Sequence, residues 1–241
     1  MHDAALADAS PPASLVRRVF SLTGVLPLGV FLVLHAATNS RAVLGEQAFL
    51  ATVRLHERIP ALPLVEALFV FAPLLVHASV GAWLVARRVP LSEPSPYPRG
   101  VHGALRATGF VAVAFLAVHL PELRFRAPGT RPSGGELLTV LSSDLSATSH
   151  GVPWWGVLYL AATGCVTFHF VVGLWGFFAR SRAGGAPRAR RWAAWSAAVL
   201  GAVMWLSFAN VVVLHASGAR LFGAAASEPG SGEPCPATSA Q

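Results

Sequence analysis

The chain has 241 residues, 54% hydrophobic and only 12% charged, with a mean hydropathy of +0.57, far too apolar for an ordinary soluble domain of that length. Its formal charge of +7 comes from eighteen basic residues, all arginine. They fall between apolar runs rather than in one patch, which excludes a nucleic-acid binder and points to membrane topology. Cys165 and Cys235 are the only cysteines, too few for a disulfide framework or a thiolate metal cluster.

Nearly charge-free runs at about 19–38, 62–86, 101–121, 153–179 and 192–216 are each close to the ~20 residues that cross a hydrocarbon core. Long unalternating runs satisfy their backbone in lipid as helices, not as barrel strands. The predicted class is therefore an all-α membrane protein, a bundle of five transmembrane helices. The first run follows Arg17 and Arg18 like a signal peptide, but it outlasts a 7–15-residue apolar region and is read as a retained helix. The stretch 122–150, with Pro128, Gly129, Pro132, Gly134 and Gly135, reads as a loop holding a short helix near 136–145. The chain divides into an N-terminal segment 1–18, a membrane domain 19–216 and a tail 217–241, Gly/Ser/Pro-rich from Glu228 and expected to be disordered. No soluble domain remains for a catalytic site, and phosphate loops, dinucleotide fingerprints and hydrolase motifs are absent.

Eleven arginines (17, 18, 87, 88, 99, 106, 180, 182, 188, 190 and 191) flank one side of these helices, against Asp3, Asp8 and Glu93. The other side holds seven arginines against eight acids. The positive-inside rule makes the N-terminus cytoplasmic and the C-terminus external, and the expected location is a bacterial inner membrane. Trp192 and Trp195 at the inner end of the fifth helix, and Trp154 and Trp155 at the outer end of the fourth, fit interfacial belts.

Histidine carries the functional signal. Four consecutive helices hold one interior histidine each: His35, His77, His119 and His169. His77 precedes Arg87 by ten residues and His169 precedes Arg180 by eleven, which puts both ~15–16 Å from the inner boundary. His35 follows Arg18 by seventeen and His119 follows Arg106 by thirteen, which puts both ~20–26 Å from it. Two pairs at two depths suit two bis-histidine haems stacked across the membrane. Local sequence agrees: Phe31 and Phe115 precede His35 and His119 by four residues, while Gly81 and Gly173 follow His77 and His169 by four, leaving no side chain in the way of a flat macrocycle. A zinc or copper centre fits less well, because neither level has a carboxylate or thiolate to complete it. The competing reading is four unrelated core histidines in a haem-free transporter or structural membrane protein.

The remaining histidines carry less. His2 and His56 read as solvated, His102 and His215 as helix-end residues, and His150, just before the fourth helix, is a candidate for a haem propionate or a quinone. Arg17, Arg18, Ser21, Arg180 and Arg182 lie at the inner end, where arginine can pair with propionates. Glu66 is the one carboxylate within a helix, ~16 Å outward of His77, and is a candidate for a quinone or proton site, with a carboxylate at a helix N-terminus as the plainer reading. Pro27 and Pro73 each remove a backbone bond, and Pro73, one turn before His77, is expected to kink the helix that carries it.

The whole resembles a known family over about residues 15–216: the five-helix, dihaem cytochrome b membrane subunit of succinate:quinone oxidoreductases, fumarate reductases included. The resemblance rests on Ser21-Leu22-Thr23-Gly24 after two arginines, His35, His77-Ala78 with Gly81, His119-Leu120 followed by Arg124-Phe125-Arg126, and Phe168-His169-Phe170 with Gly173-Leu174-Trp175-Gly176. It implies two haems b, the inner held by His77 and His169 and the outer by His35 and His119. It also implies a flavoprotein and an iron–sulfur subunit on the cytoplasmic face, which hold the dicarboxylate chemistry, and exchange with a quinone, menaquinone foremost. Some fumarate reductases of this class carry a glutamate two positions before the ligand of the fourth helix. Thr167 stands there, so the proton path linked to that glutamate is not expected. The nearest alternative is a dihaem cytochrome b of another quinone-linked dehydrogenase or hydrogenase.

Overall fold

A computed structural model describes residues 11–87, 97–125 and 134–223. Nine α-helices lie among them: α1 (Pro11–Val25), α2 (Pro27–Ser40), α3 (Glu46–Glu57), α4 (Leu62–Glu66), α5 (Ala72–Ala86), α6 (Arg99–Leu123), α7 (Gly134–Ser146), α8 (Trp154–Ala179) and α9 (Pro187–Ser217). The described residues form no β-strand beyond one isolated bridge between Ser149 and Val152. Five continuous rods are long and apolar enough to cross a membrane: Arg18–Leu44, Leu62–Ala86, Gly100–Leu123, Trp154–Ala179 and Pro187–Ser217. These are the five expected spans. The last begins earlier than expected because Pro187 occupies the first turn, where its missing N–H costs no bond.

Two prolines shape the first two spans. At Pro27 the absent N–H divides α1 from α2, but Leu26 N still bonds Leu22 O and Val30 N bonds Leu26 O, both at 3.0 Å, so the rod continues. At Pro73 the distortion is larger. Residues Ala67–Phe71 form a π-turn, and the Ala72 N–H reaches back five residues to the Ala67 carbonyl. The expected kink before His77 is thus a widened turn on the N-terminal side of Pro73.

α8 and α9 form the spine of the bundle, with α6 and the N-terminal half of the first span (α1) against α8 and its C-terminal half (α2) against α9. Small residues permit the close approach: a Cβ on Gly201 would come 3.1 Å from Val171, and one on Gly164 3.0 Å from the Trp205 indole. The second and third spans are the most exposed, with Leu75, Phe69 and Phe110 outward where lipid would lie. A buried core lies at the end of the bundle away from the arginine-rich segments, where Leu145 of α7, Tyr159 and Val212 pack with Phe115, Leu141, Leu160 and Ala216.

α7 is the short helix expected near 136–145. α3 was not expected: with four charged or histidine positions and three turns it resembles neither a span nor a soluble core helix, and it earns its place by burying Phe49 and packing against α2 and α7. After α9, Gly218 takes a left-handed conformation (φ 73°) and bonds Leu214 O at 2.8 Å. The chain then turns back along α9, where Asn210, 1% exposed, donates to Phe222 O at 2.9 Å and accepts from Leu221 N at 2.7 Å. Residues 1–10 and the Gly/Ser/Pro-rich stretch from Glu228 lie outside the described residues.

Candidate functional site

The structure brings the four interior histidines together two by two. His77 on α5 and His169 on α8 have ring centroids 6.2 Å apart, with planes crossed at 84°. His35 on α2 and His119 on α6 have centroids 6.1 Å apart, crossed at 88°. α5 with α8, and α2 with α6, are not among the extensively packed helix pairs. The two rings of each pair come from different spans, and no third histidine, cysteine or carboxylate joins either pair among the described residues.

The spacing tests whether a haem iron fits. An imidazole bound at ~2 Å through one nitrogen has its centroid about 3.1 Å from the metal, so two trans imidazoles stand about 6.3 Å apart. Both pairs meet that separation. A two-ligand site with open positions around it suits a metal whose remaining ligands come from a macrocycle, and does not suit a closed four-ligand zinc site.

The inner pair is held by main chain. His77 Nδ1 lies 2.9 Å from the Phe20 carbonyl on α1, and His169 Nδ1 lies 3.0 Å from the Leu105 carbonyl on α6. A carbonyl can only accept, so both Nδ1 atoms carry the proton and both Nε2 atoms keep a lone pair for a metal. Four residues after each carbonyl stands a glycine under the ring. A Cβ on Gly24 would come 2.5 Å from the His77 ring, and one on Gly109 2.9 Å from that of His169. Phe20 also stacks on His77, 4.4 Å away at 6°.

The outer pair is held by side chains. Phe31 stacks on His35 at 5.3 Å and Phe115 on His119 at 5.1 Å, each four residues before its histidine. His119 Nδ1 is 3.4 Å from the Tyr159 hydroxyl, and Phe208 of α9 stands 6.2 Å from His35.

The chain is similar to the succinate dehydrogenase cytochrome b558 subunit of Bacillus subtilis (strain 168): 30% identical over 162 residues, 67% of this chain and 76% of that protein. It belongs to the succinate dehydrogenase cytochrome b subunit family. No family model and no solved structure matches it.

The other candidates of this cytochrome b subunit fall at the two ends of the bundle. Glu66 forms an ion pair with Arg124 that ties the second span to the third, beside Phe71 and Phe125 at 5.2 Å. Arg124 belongs to the segment following His119, but only the fold shows that it meets Glu66. At the arginine-rich end, Arg180 lies 6.0 Å over the Tyr97 ring, Arg18 is exposed and Ser21 half-buried. The side chains of Arg17 and Arg182 lie outside those described. His150 is exposed on the turn before α8, beside Ser149 Oγ at 3.1 Å, and His56 bonds Thr52 O within α3. The two glycines expected to face a macrocycle differ: Gly173 faces open space, whereas Gly81 accommodates the Phe20 ring, 3.1 Å from where its Cβ would be. Sequence reasoning missed Gly24, Gly109 and Tyr159. Gly24 lay within a quoted motif, but which helix face it presents to His77 depends on rotations that spacing does not give.

Proposed function

We propose that this chain anchors a succinate dehydrogenase complex in the membrane and passes electrons between an iron–sulfur subunit and a membrane quinone through two haems b. His77 and His169 would hold the haem nearer the arginine-rich end, and His35 and His119 the other. The observation that carries the reading is the pair of crossed imidazole couples, each joining two spans with ring centroids 6.1 or 6.2 Å apart. When bound, each haem supplies a one-electron carrier.

The protein's own part is to orient the imidazoles, exclude water and seat the macrocycle. The Phe20 and Leu105 carbonyls fix the tautomer of the inner ligands, and the stacked phenylalanines fix the outer ones. The arginine distribution supports a cytoplasmic N-terminus; the membrane would be a bacterial inner membrane, with a flavoprotein and an iron–sulfur subunit on the arginine-rich face, as the similarity to a succinate dehydrogenase cytochrome subunit suggests. Succinate or fumarate chemistry would belong to the flavoprotein, and residues 19–216 would form the cytochrome domain. Menaquinone or another quinone would exchange electrons near the outer haem, with Glu66, and more remotely His150, as candidates to exchange its protons.

The test is to purify the chain from membranes with whatever accompanies it and add succinate. Co-purified flavin and iron, with succinate-dependent appearance of reduced b-haem bands, is the expected result. A correctly inserted chain with no visible absorption would leave a haem-free helical membrane protein.

A further inference from the structure

The outer end of α9 holds a polar atom that the electron path above leaves unused. The Ser142 hydroxyl of α7 hydrogen-bonds His215 Nδ1 at 2.7 Å, while His215 Nε2 is buried with no partner. If Ser142 gives its proton to Nδ1, the neutral ring carries its own N–H at Nε2, a donor without an acceptor. Leaving such a donor unsatisfied is costly, which marks a place where an accepting oxygen belongs.

Position narrows what that oxygen can be. His215 follows Phe208 by seven residues, two turns along the same face of α9, and Phe208 stands beside His35. Helical side chains lean toward the N-terminus of their helix, which here draws the His215 ring back toward the level of the outer histidine pair. The neighbouring core of Leu145, Tyr159 and Val212 closes the same region, and Tyr159 reaches His119 from it. The Glu66 carboxylate is already engaged by Arg124.

We propose that His215, oriented by Ser142, donates a hydrogen bond to a propionate carboxylate of the haem carried by His35 and His119. The proposal rests on that haem assignment. A donor on the propionate draws off negative charge that otherwise favours ferric iron, so His215 is a positioning and tuning residue for the outer haem.

The experiment is a redox titration of the purified complex with His215→Leu and Ser142→Ala, the outer haem being the one missing from His35→Ala. His215→Leu should lower the midpoint potential of the outer haem and speed its loss in detergent about tenfold, the equivalent of one hydrogen bond to a charged group, with the inner haem unchanged. Ser142→Ala should act in the same direction by less, and it carries the test should His215→Leu not fold. Unchanged outer-haem potential and retention in the folded variants would overturn the proposal. So would slowed quinone reduction with both potentials intact, which would assign Nε2 to the quinone. Absence of haem from the unsubstituted chain would instead sink the haem assignment itself.

Discussion

The two histidine pairs share a separation and a crossed orientation, yet different groups hold them. Around His77 and His169 the second ring nitrogens are bonded to backbone carbonyls of neighbouring spans, at 2.9 and 3.0 Å, over glycines that leave room for nothing but the rings. Around His35 and His119 the supports are Phe31, Phe115, Phe208 and the Tyr159 hydroxyl at 3.4 Å. A carbonyl cannot be deleted by substitution and does not ionise, so the inner geometry depends on where the helices stand. The outer geometry depends on side chains that can each be changed. The inner site should therefore break all at once, when a helix is pushed away, and the outer site should be tunable step by step.

The largest effect expected from a residue that is not itself a ligand follows from Gly24→Ala. The new methyl would collide with the His77 ring, and overpacking of this kind costs about 1–3 kcal/mol. Haem quantification should show loss of the inner haem with the outer retained. Gly109→Ala should do the same from the His169 side with less force. Equal loss of both haems would contradict the separate construction of the two sites. Gly103→Ala is the matched control, because its methyl would meet nothing within 4 Å.

A smaller effect is expected from Glu66→Gln, which removes the ion pair to Arg124 between the second and third spans. Thermal unfolding should show a loss of up to about 1 kcal/mol, as for other partly exposed pairs, with both haems still present. Quinone turnover in the same variant sharpens the comparison further. A fall would support a proton-exchanging role for Glu66 near the outer haem, and unchanged turnover would leave it a clasp between spans.

The smallest effect belongs to Tyr159→Phe. Its hydroxyl makes a long bond to His119, so removing it should shift the outer potential by only about 0.5 kcal/mol, or about 20 mV for a one-electron couple. The inner potential should not move. A shift confined to the inner haem would reverse the assignment of Tyr159.

Much of this was legible in the sequence, for physical reasons. Charge-free runs of membrane length gave the five spans, and the rise per residue put His35 level with His119 and His77 level with His169. The matching placement of Phe31 and Phe115 four residues before their histidines marked His35 and His119 as a pair, and the stacking of those rings is what neighbours on one helix face can do. What the sequence hid depends on how the rods are rotated against one another. Phe20 and Leu105 act through carbonyls that any residue carries. Gly24 and Gly109 are two glycines among twenty-two. Glu66 and Arg124 are fifty-eight residues apart. α3 went unseen because its stability comes from burying Phe49 against its neighbours and not from a pattern long enough to read alone.

In the function proposed above, this chain binds two haems b at two independent histidine pairs. The direct measurement is the ratio of haem b to polypeptide in the purified chain, beside His77→Ala and His35→Ala, with reduced-minus-oxidised spectra of each. Two haems per chain are expected, falling to one in each variant, with a different spectral component lost each time. One haem per chain in the unsubstituted protein, or loss of the same component in both variants, would contradict it.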